Sequence, residues 1–264
     1  MRIFFSLLIF FILPSYGFSQ IPMKKGKAKE VCFFAQLNGG LGIPIQHFAG
    51  TTGDFFYHNA SGFAERGTVE GMDIGLDFPK DNCAVSLKTF YGSNEFRMDS
   101  YLKYLQNPDW NFYHPGGNGI TYTSISGGIY KYISFLFKVE TEIPVKKFSF
   151  GFYCAAGSSK LISFPDVKVA MDSASNHIET GFAAREGSHY GISLNYGAAA
   201  TLHIGSHFYI KAIADYFYSH FVFDLNIISP QQNGSVWYAK TEPPTHYSYP
   251  FTLLNLSLGT GCRF

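Results

Sequence analysis

Residues 251–264 read FTLLNLSLGTGCRF, and this run ends the chain on an aromatic residue. Counted back in steps of two from Phe264, one set of positions is mostly apolar and includes Leu258, Leu256 and Leu254. The alternate positions are mostly small or polar. Because successive side chains of a β-strand point to opposite faces, the run predicts a strand with two unlike faces. Lipid on one side and a polar lumen on the other would suit it, as in a transmembrane β-barrel.

The composition agrees with such a strand protein. A length of 264 residues is ordinary for one barrel domain. Charged residues make up 15% of the chain, against about 25% in soluble proteins, and aromatic residues reach 18%. These values favour strands with an apolar outer face and aromatic rims. The net charge of +1 gives no electrostatic argument for nucleic acid, so no nucleic-acid partner is predicted.

The first 19 residues have the pattern of a cleaved secretory signal. Arg2 supplies the positive start, an apolar run covers residues 3–13, and small residues precede Gln20. The run is shorter than the roughly 20 residues that a membrane-spanning helix needs. We therefore expect residues 1–19 to be a signal peptide and residues 20–264 to form one outer-membrane barrel domain of a Gram-negative bacterium.

Alternation of apolar and polar residues marks eight strand-like segments. They cover residues 31–43, 68–78, 83–91, 120–143, 148–156, 190–204, 208–223 and 251–264. Connections after the second, fourth and sixth are short, whereas the others are long and polar. This spacing predicts an all-β fold, an eight-stranded antiparallel up-and-down transmembrane barrel with short periplasmic turns and long extracellular loops. The alternative is a secreted soluble β-protein, whose outer face would carry more charge.

With these features the chain is similar to the small outer-membrane barrels of the OmpA and OmpX type and to porin-family proteins. The similarity is carried by the aromatic-ended segment 254–264 and the glycine-rich segment 36–42. It implies a barrel that lies in outer-membrane lipid. It also implies that Phe264 is an assembly signal, read by the barrel-assembly machinery through the C-terminal strand. The similarity specifies a fold and an assembly route rather than a task.

Charged residues fall on the inward parity of several segments. The interior of an eight-stranded barrel is just wide enough to be filled by side chains. A tight turn at residues 80–81 sets Asp73 opposite Lys88, so we predict a lumen plugged by structural ion pairs. The candidates are Asp73, Lys88, Lys138, Glu140, Lys211, Asp215 and Arg263. The alternative is that these charges line a narrow conduction path.

Evidence for chemistry in the sequence is sparse. Ser219 precedes His220, but no base-orienting acid can be placed beside them, so His220 is interpreted as a rim residue. The histidines show no metal-ligand spacing, and no catalytic, cofactor-binding or metal-binding residue is predicted. We expect the four cysteines to form no disulfides: Cys32, Cys83, Cys154 and Cys262.

Both tryptophans, Trp110 and Trp237, fall in predicted loops and are candidate recognition residues. The alternative is that they pack the loops together or lie in the interfacial belt. The sequence thus favours a non-enzymatic barrel with a structural or surface-interaction role and an unidentified surface ligand. The alternatives are a narrow porin or conduit for small hydrophobic molecules, an accessory barrel of a secretion machine, and a lipid A-modifying enzyme.

Overall fold

The structure, a computed structural model, describes residues 31–51, 62–106, 121–173, 176–185, 189–233 and 236–264. The predicted signal peptide lies outside these residues. Two helices are described, α1 (Gln46–Ala49) and α2 (Met98–Leu105). The strands are β1 (Cys32–Pro44), β2 (Gly67–Phe78), β3 (Cys83–Glu95), β4 (Thr121–Ser126), β5 (Ile129–Val145), β6 (Phe148–Ser163), β7 (Val167–Ser173), β8 (Asn176–Ala184), β9 (His189–Ile204), β10 (Phe208–Asn233), β11 (Val236–Thr241) and β12 (Thr245–Arg263).

Eight of the strands close into an antiparallel ring. The order is β1, β2, β3, β5, β6, β9, β10 and β12, and β12 pairs with β1 to complete it. Paired residues can be followed from strand to strand around the ring, starting at Thr260 of β12 and returning to β12 at Pro250, ten residues away. The residues along this path are Thr260, Leu37, Met72, Thr89, Phe135, Ser158, Ile192, His220 and Pro250. Such a stagger in eight strands corresponds to a strand tilt of about 40°.

The two faces of the ring have opposite chemistry. Outward side chains are apolar and exposed, for example Ile192 at 76% and Leu258 at 66%, whereas inward charges such as Lys138 and Asp73 are each 1% exposed. A soluble protein would bury the apolar face, so this surface is the surface of a barrel in lipid. The prediction of an antiparallel transmembrane barrel is confirmed, with eight strands in the ring and twelve among the described residues.

One predicted strand was wrong in its extent. The segment 120–143 is divided between β4 and β5, and β4 pairs with β7 outside the ring. The division falls at Gly127 and Gly128, where a Cβ on Gly128 would lie 2.5 Å from Cα of Pro165. The close approach of the two backbones turns the chain out of the ring at this point.

Two of the predicted polar loops also proved to contain strands. Residues 158–188 hold the end of β6 and the whole β7–β8 hairpin, and residues 226–250 hold the end of β10, β11 and the start of β12. We call β4, β7, β8, β11 and the outer part of β10 from Leu225 onward the extracellular extension. β8 and β11 both pair with this outer part of β10, which joins the extension to the barrel.

Neither helix in the described part of the chain is both long and apolar enough to cross a membrane. The four cysteines, all within the described residues, form no disulfide bond in this structure.

Candidate functional site

The lumen near the short turns is filled by a network of ion pairs centred on Lys138. Its ammonium lies 2.5 Å from Oδ2 of Asp73 and 3.0 Å from Oε2 of Glu140. Lys211 reaches the other oxygen of Glu140 at 2.6 Å. These groups come from β2, β5 and β10, so the bonds cross the interior and tie distant strands together. A buried charge that lost such a partner would be costly.

A second group of ion pairs lies at the periplasmic end of the lumen. Nε of Arg263 lies 2.9 Å from Asp77, and one of its terminal nitrogens lies 3.3 Å from Glu142. Lys211 approaches Glu142 at 3.7 Å and so links this group to the Lys138 network. Asp77 has the same parity on β2 as Asp73, but the sequence did not indicate its pairing with Arg263. The two residues are far apart in the chain, and only ring closure brings them together.

Further up the lumen, Lys88 and Asp215 form a dense polar centre. Nζ of Lys88 donates to Oδ2 of Asp215 at 3.2 Å, to Tyr153 at 3.0 Å and to Asn195 at 2.7 Å. The carboxylate also accepts hydrogen bonds from Tyr153, Asn195 and Asn255. All seven residues that the sequence named as candidates for ion pairs in the lumen take part in such pairs, although the partners differ from simple cross-strand neighbours.

Above the charges the lumen is closed by packed aromatic rings. Phe217 lies edge-on to Phe90 with ring centroids 4.9 Å apart, and it stacks on Tyr132 at 5.7 Å. Phe48 of α1 enters from the extracellular side and stacks on Phe251 at 4.3 Å. Sequence reasoning missed Phe48, because it lies in a predicted loop. We call this cluster, Phe48, Phe90, Tyr132, Phe217, Phe221 and Phe251, the aromatic plug.

A chain of buried hydroxyl groups joins four neighbouring strands at the inner wall. Ser134 bonds to Ser159 at 2.6 Å, Ser159 to Ser193 at 2.5 Å, and Ser193 donates to Ser219 at 2.8 Å. The chain satisfies hydroxyl groups that would otherwise be buried without partners. Ser219 therefore has a structural hydrogen bond inside the barrel.

His220 points to the opposite side of β10 from Ser219, so the two side chains do not meet. Its Nδ1 is hydrogen-bonded to the hydroxyl of Tyr218 at 3.2 Å, and its Nε2 is hydrogen-bonded to the hydroxyl of Ser248 on β12. The serine partner of His220 thus comes from a neighbouring strand. The sequence could not show it, since residue 248 lay in a predicted loop.

Between the charges and the aromatic plug lies a small cavity, lined in part by Asn38, Lys88, Asp215 and Asn255. Within the described residues, no group of three or more histidine, cysteine, aspartate or glutamate side chains could hold a metal ion. The described side chains of the lumen are thus cross-linked by ion pairs and hydrogen bonds around this cavity.

The candidate loop and assembly residues are Trp110, Trp237 and Phe264. Trp110 is outside the described residues, and Trp237 lies in β11 opposite Gln232, with its side chain outside what the structure describes. Phe264 is 72% exposed at the periplasmic rim, and its N–H donates to the carbonyl of Phe33 at 2.8 Å.

The extracellular extension carries its own polar contacts. Ser229 donates a hydrogen bond to Glu242 at 2.8 Å, which, with the nearby ammonium of Lys240, holds the pKa of that carboxyl below its usual value. Within the extension, a cross-strand pair joins His177 to Asp172 at 2.5 Å, and at its base a second pair joins His246 of β12 to Asp224 of β10 at 2.9 Å. These exposed pairs give the extension a polar surface.

A closed antiparallel ring with an apolar exterior and a filled interior defines a transmembrane β-barrel protein. Among solved structures, the chain is similar to Neisserial surface protein A, with 9% identity, a TM-score of 0.39 and coverage of 89% of this chain and 100% of that one. It is similar to a major outer membrane protein of Thermus thermophilus, with 8% identity, a TM-score of 0.45 and coverage of 89% and 100%. It is also similar to Ail, the attachment invasion locus protein of Yersinia pestis, with 12% identity, a TM-score of 0.31 and coverage of 89% and 97%.

No protein-family model matches the chain, and no curated protein matches it.

Proposed function

We propose that this protein is a sealed, non-enzymatic barrel of the Gram-negative outer membrane, with a structural or surface-interaction role exerted through its extracellular extension. The observation that supports this most is the filling of the lumen. Four cations meet five carboxylates there: Lys88, Lys138, Lys211 and Arg263 against Asp73, Asp77, Glu140, Glu142 and Asp215.

The aromatic plug supports the same proposal. Phe217, Phe221 and Phe251 are each 0% exposed, so the plug leaves solvent no contact with these rings. A solute would have to displace both the rings and the ion pairs to cross. A porin needs a polar path through the barrel, and a conduit for hydrophobic molecules needs an apolar path. The layer of ion pairs opposes the passage of an apolar solute and the aromatic plug opposes that of a polar one, so together they oppose both kinds of transport.

The conductance of the refolded protein in a planar bilayer tests the sealed lumen. Folding is first confirmed by circular dichroism, and the folded protein is expected to give no discrete openings. Steady single-channel openings would contradict the proposal and favour the narrow porin instead.

The orientation of the barrel has its own test in intact cells. Glu179 is exposed in the β7–β8 hairpin, and Lys80 is exposed in the turn after β2. A membrane-impermeant maleimide should label Glu179→Cys but not Lys80→Cys or the unsubstituted protein. Labelling of Lys80→Cys alone would show the reverse orientation and would remove the surface role of the extension.

A second candidate function, hydrolysis of a membrane lipid ester, is favoured by one observation. Ser248 is exposed on the outer surface, and its hydroxyl is hydrogen-bonded to Nε2 of His220, whose Nδ1 contacts Tyr218. A serine beside a base that is itself oriented is the arrangement of an activated nucleophile. In this group a tyrosine hydroxyl takes the place of the usual acid.

A fluorophosphonate probe separates the two candidates. If Ser248 is a nucleophile, the probe should modify it, and the modification should disappear in Ser248→Ala but persist in Ser219→Ala. The non-enzymatic proposal expects no modification of the wild-type protein in detergent micelles. Covalent labelling that depends on both Ser248 and His220 would overturn it.

A further inference from the structure

The height of the apolar belt can be read from β6. Its outward side chains from Phe148 to Ser158 carry no charge, and Lys160 is the next outward charged residue. This span of about ten residues rises about 33 Å along the strand, which is about 25 Å along the membrane normal at a tilt of about 40°. That is the height of the apolar band of transmembrane barrels. Lys160 therefore lies just above the hydrocarbon, at the depth of lipid headgroups.

Lys131 lies at a similar depth on the neighbouring strand. Lys160 is paired with Ile133, and Lys131 is two positions further up β5 on the same outward face. Since the paired rows climb from β5 to β6, this offset brings the two lysines to nearly the same height. In a regular sheet diagonal neighbours lie about 7–8 Å apart, and here the register shifts between Lys131 and Tyr132, so that Lys131 pairs with Ser163. Two flexible ammonium groups can then meet over one small anion.

The surroundings of the two lysines leave their charges available. Within the described residues, neither ammonium lies within ion-pair distance of a carboxylate, and Glu95 on β3 pairs with neither. Lys131 is flanked in the sheet by Ser93 and Ser163. The ammonium of Lys160 lies 5.8 Å from the ring centroid of Tyr190.

We propose that Lys131 and Lys160 bind the phosphate group of a lipid in the outer leaflet. A lysine at the edge of the hydrocarbon is costly unless it reaches the interface and meets an anionic group, and lipid phosphates lie at this depth. The flanking serines supply hydroxyl donors for the phosphate oxygens, and Tyr190 is an interfacial aromatic residue. This inference rests on the membrane placement in the proposed function but not on the sealed lumen.

Native mass spectrometry of the protein in dodecyl maltoside micelles tests the site. The probes are dimyristoyl phosphatidic acid and, with the same acyl chains, dimyristoyl phosphatidylcholine. The wild-type protein should retain phosphatidic acid with about a thirtyfold preference, since two lysines contribute. The double variant Lys131→Gln/Lys160→Gln should lose that preference. The control Lys103→Gln/Lys168→Gln removes the same charge from exposed positions outside the apolar belt and should keep it.

Equal retention of phosphatidic acid by the double variant, or an equal loss in the control, would overturn the site. Displacement of the lipid by an equal concentration of inorganic phosphate would also overturn it, because a soluble anion would then be the ligand. Insertion into phosphatidylcholine vesicles is measured separately. A chain that inserts but shows no phosphatidic acid preference fails only the lipid site, whereas a chain that does not insert fails the proposed membrane function itself.

Discussion

Asp73 and Lys88 lie directly opposite each other on β2 and β3, yet each forms its ion pair with a different strand. The carboxylate of Asp73 meets Lys138 on β5 at 2.5 Å, and Lys88 crosses the lumen to Asp215 on β10 at 3.2 Å. The Lys88–Asp215 pair thus joins strands on opposite sides of the ring, and the Asp73–Lys138 pair joins strands that are two apart.

The first prediction concerns Lys88. Lys88→Ala should lower the free energy of unfolding by about 3–5 kcal/mol, because Asp215 would keep its charge without the cation that faces it. Urea unfolding of the refolded protein in vesicles measures the loss. Lys80→Ala, at an exposed turn position, should change stability by no more than about 0.5 kcal/mol. Equal stability of the Lys88 variant and the wild type would refute the plugged lumen.

The second prediction concerns the aromatic plug. Phe217→Ala should cost about 3–5 kcal/mol, because the ring is fully buried against Phe90 and Tyr132. The variant should still give no single-channel openings, since the ion pairs below it remain. Phe150→Ala removes a half-exposed ring from the lipid side, where lipid can fill the space, and should cost less. Openings in Phe217→Ala would show that the rings alone seal the barrel.

A third prediction uses two glycines. A Cβ at Gly92 would lie 2.1 Å from the ring of Tyr132, which is held by its packing on Phe217, whereas one at Gly39 has no atom within 4 Å. Gly92→Ala should therefore destabilise the barrel by about 1–3 kcal/mol and Gly39→Ala should have a much smaller effect. Thermal unfolding in micelles compares the two. Equal midpoints would mean that the ring of Tyr132 moves freely.

The fourth prediction separates assembly from stability at Phe264. Because its ring is 72% exposed, Phe264→Ala should change the unfolding free energy by no more than about 0.5 kcal/mol. The folded fraction in the outer membrane of expressing cells should nevertheless fall. Phe208→Ala removes another exposed ring at the same rim and should assemble normally. A parallel loss in both variants would point to a lipid contact rather than an assembly signal.

The sequence predicted the ring well because lipid imposes a strict two-residue period on every membrane strand. It predicted poorly wherever strands leave the lipid. In β7 and β8 both faces contact protein or water, so the alternation of apolar and polar residues along these strands is less marked. The division between β4 and β5 at Gly127 and Gly128 could not be predicted from the sequence either, because the alternation within a segment does not show which strand it pairs with.

The same limit applies to the lumen. Parity alone assigned the charged residues to the inside, but it could not pair Arg263 with Asp77 or Lys88 with Asp215. Those contacts depend on the stagger of the closed ring, which moves each strand past its neighbours. The partner of His220 was missed for a related reason, because Ser248 belongs to a strand that continues beyond the lipid.

β10 runs from Phe208 to Asn233, far longer than a membrane crossing requires. At a rise of about 3.3 Å per residue and the same tilt, its outer end would stand about 40 Å clear of the hydrocarbon. Its outer tip would thus stand well beyond the level of the lipid headgroups. A molecule in the surrounding medium could then contact the end of β10 without contacting the bilayer.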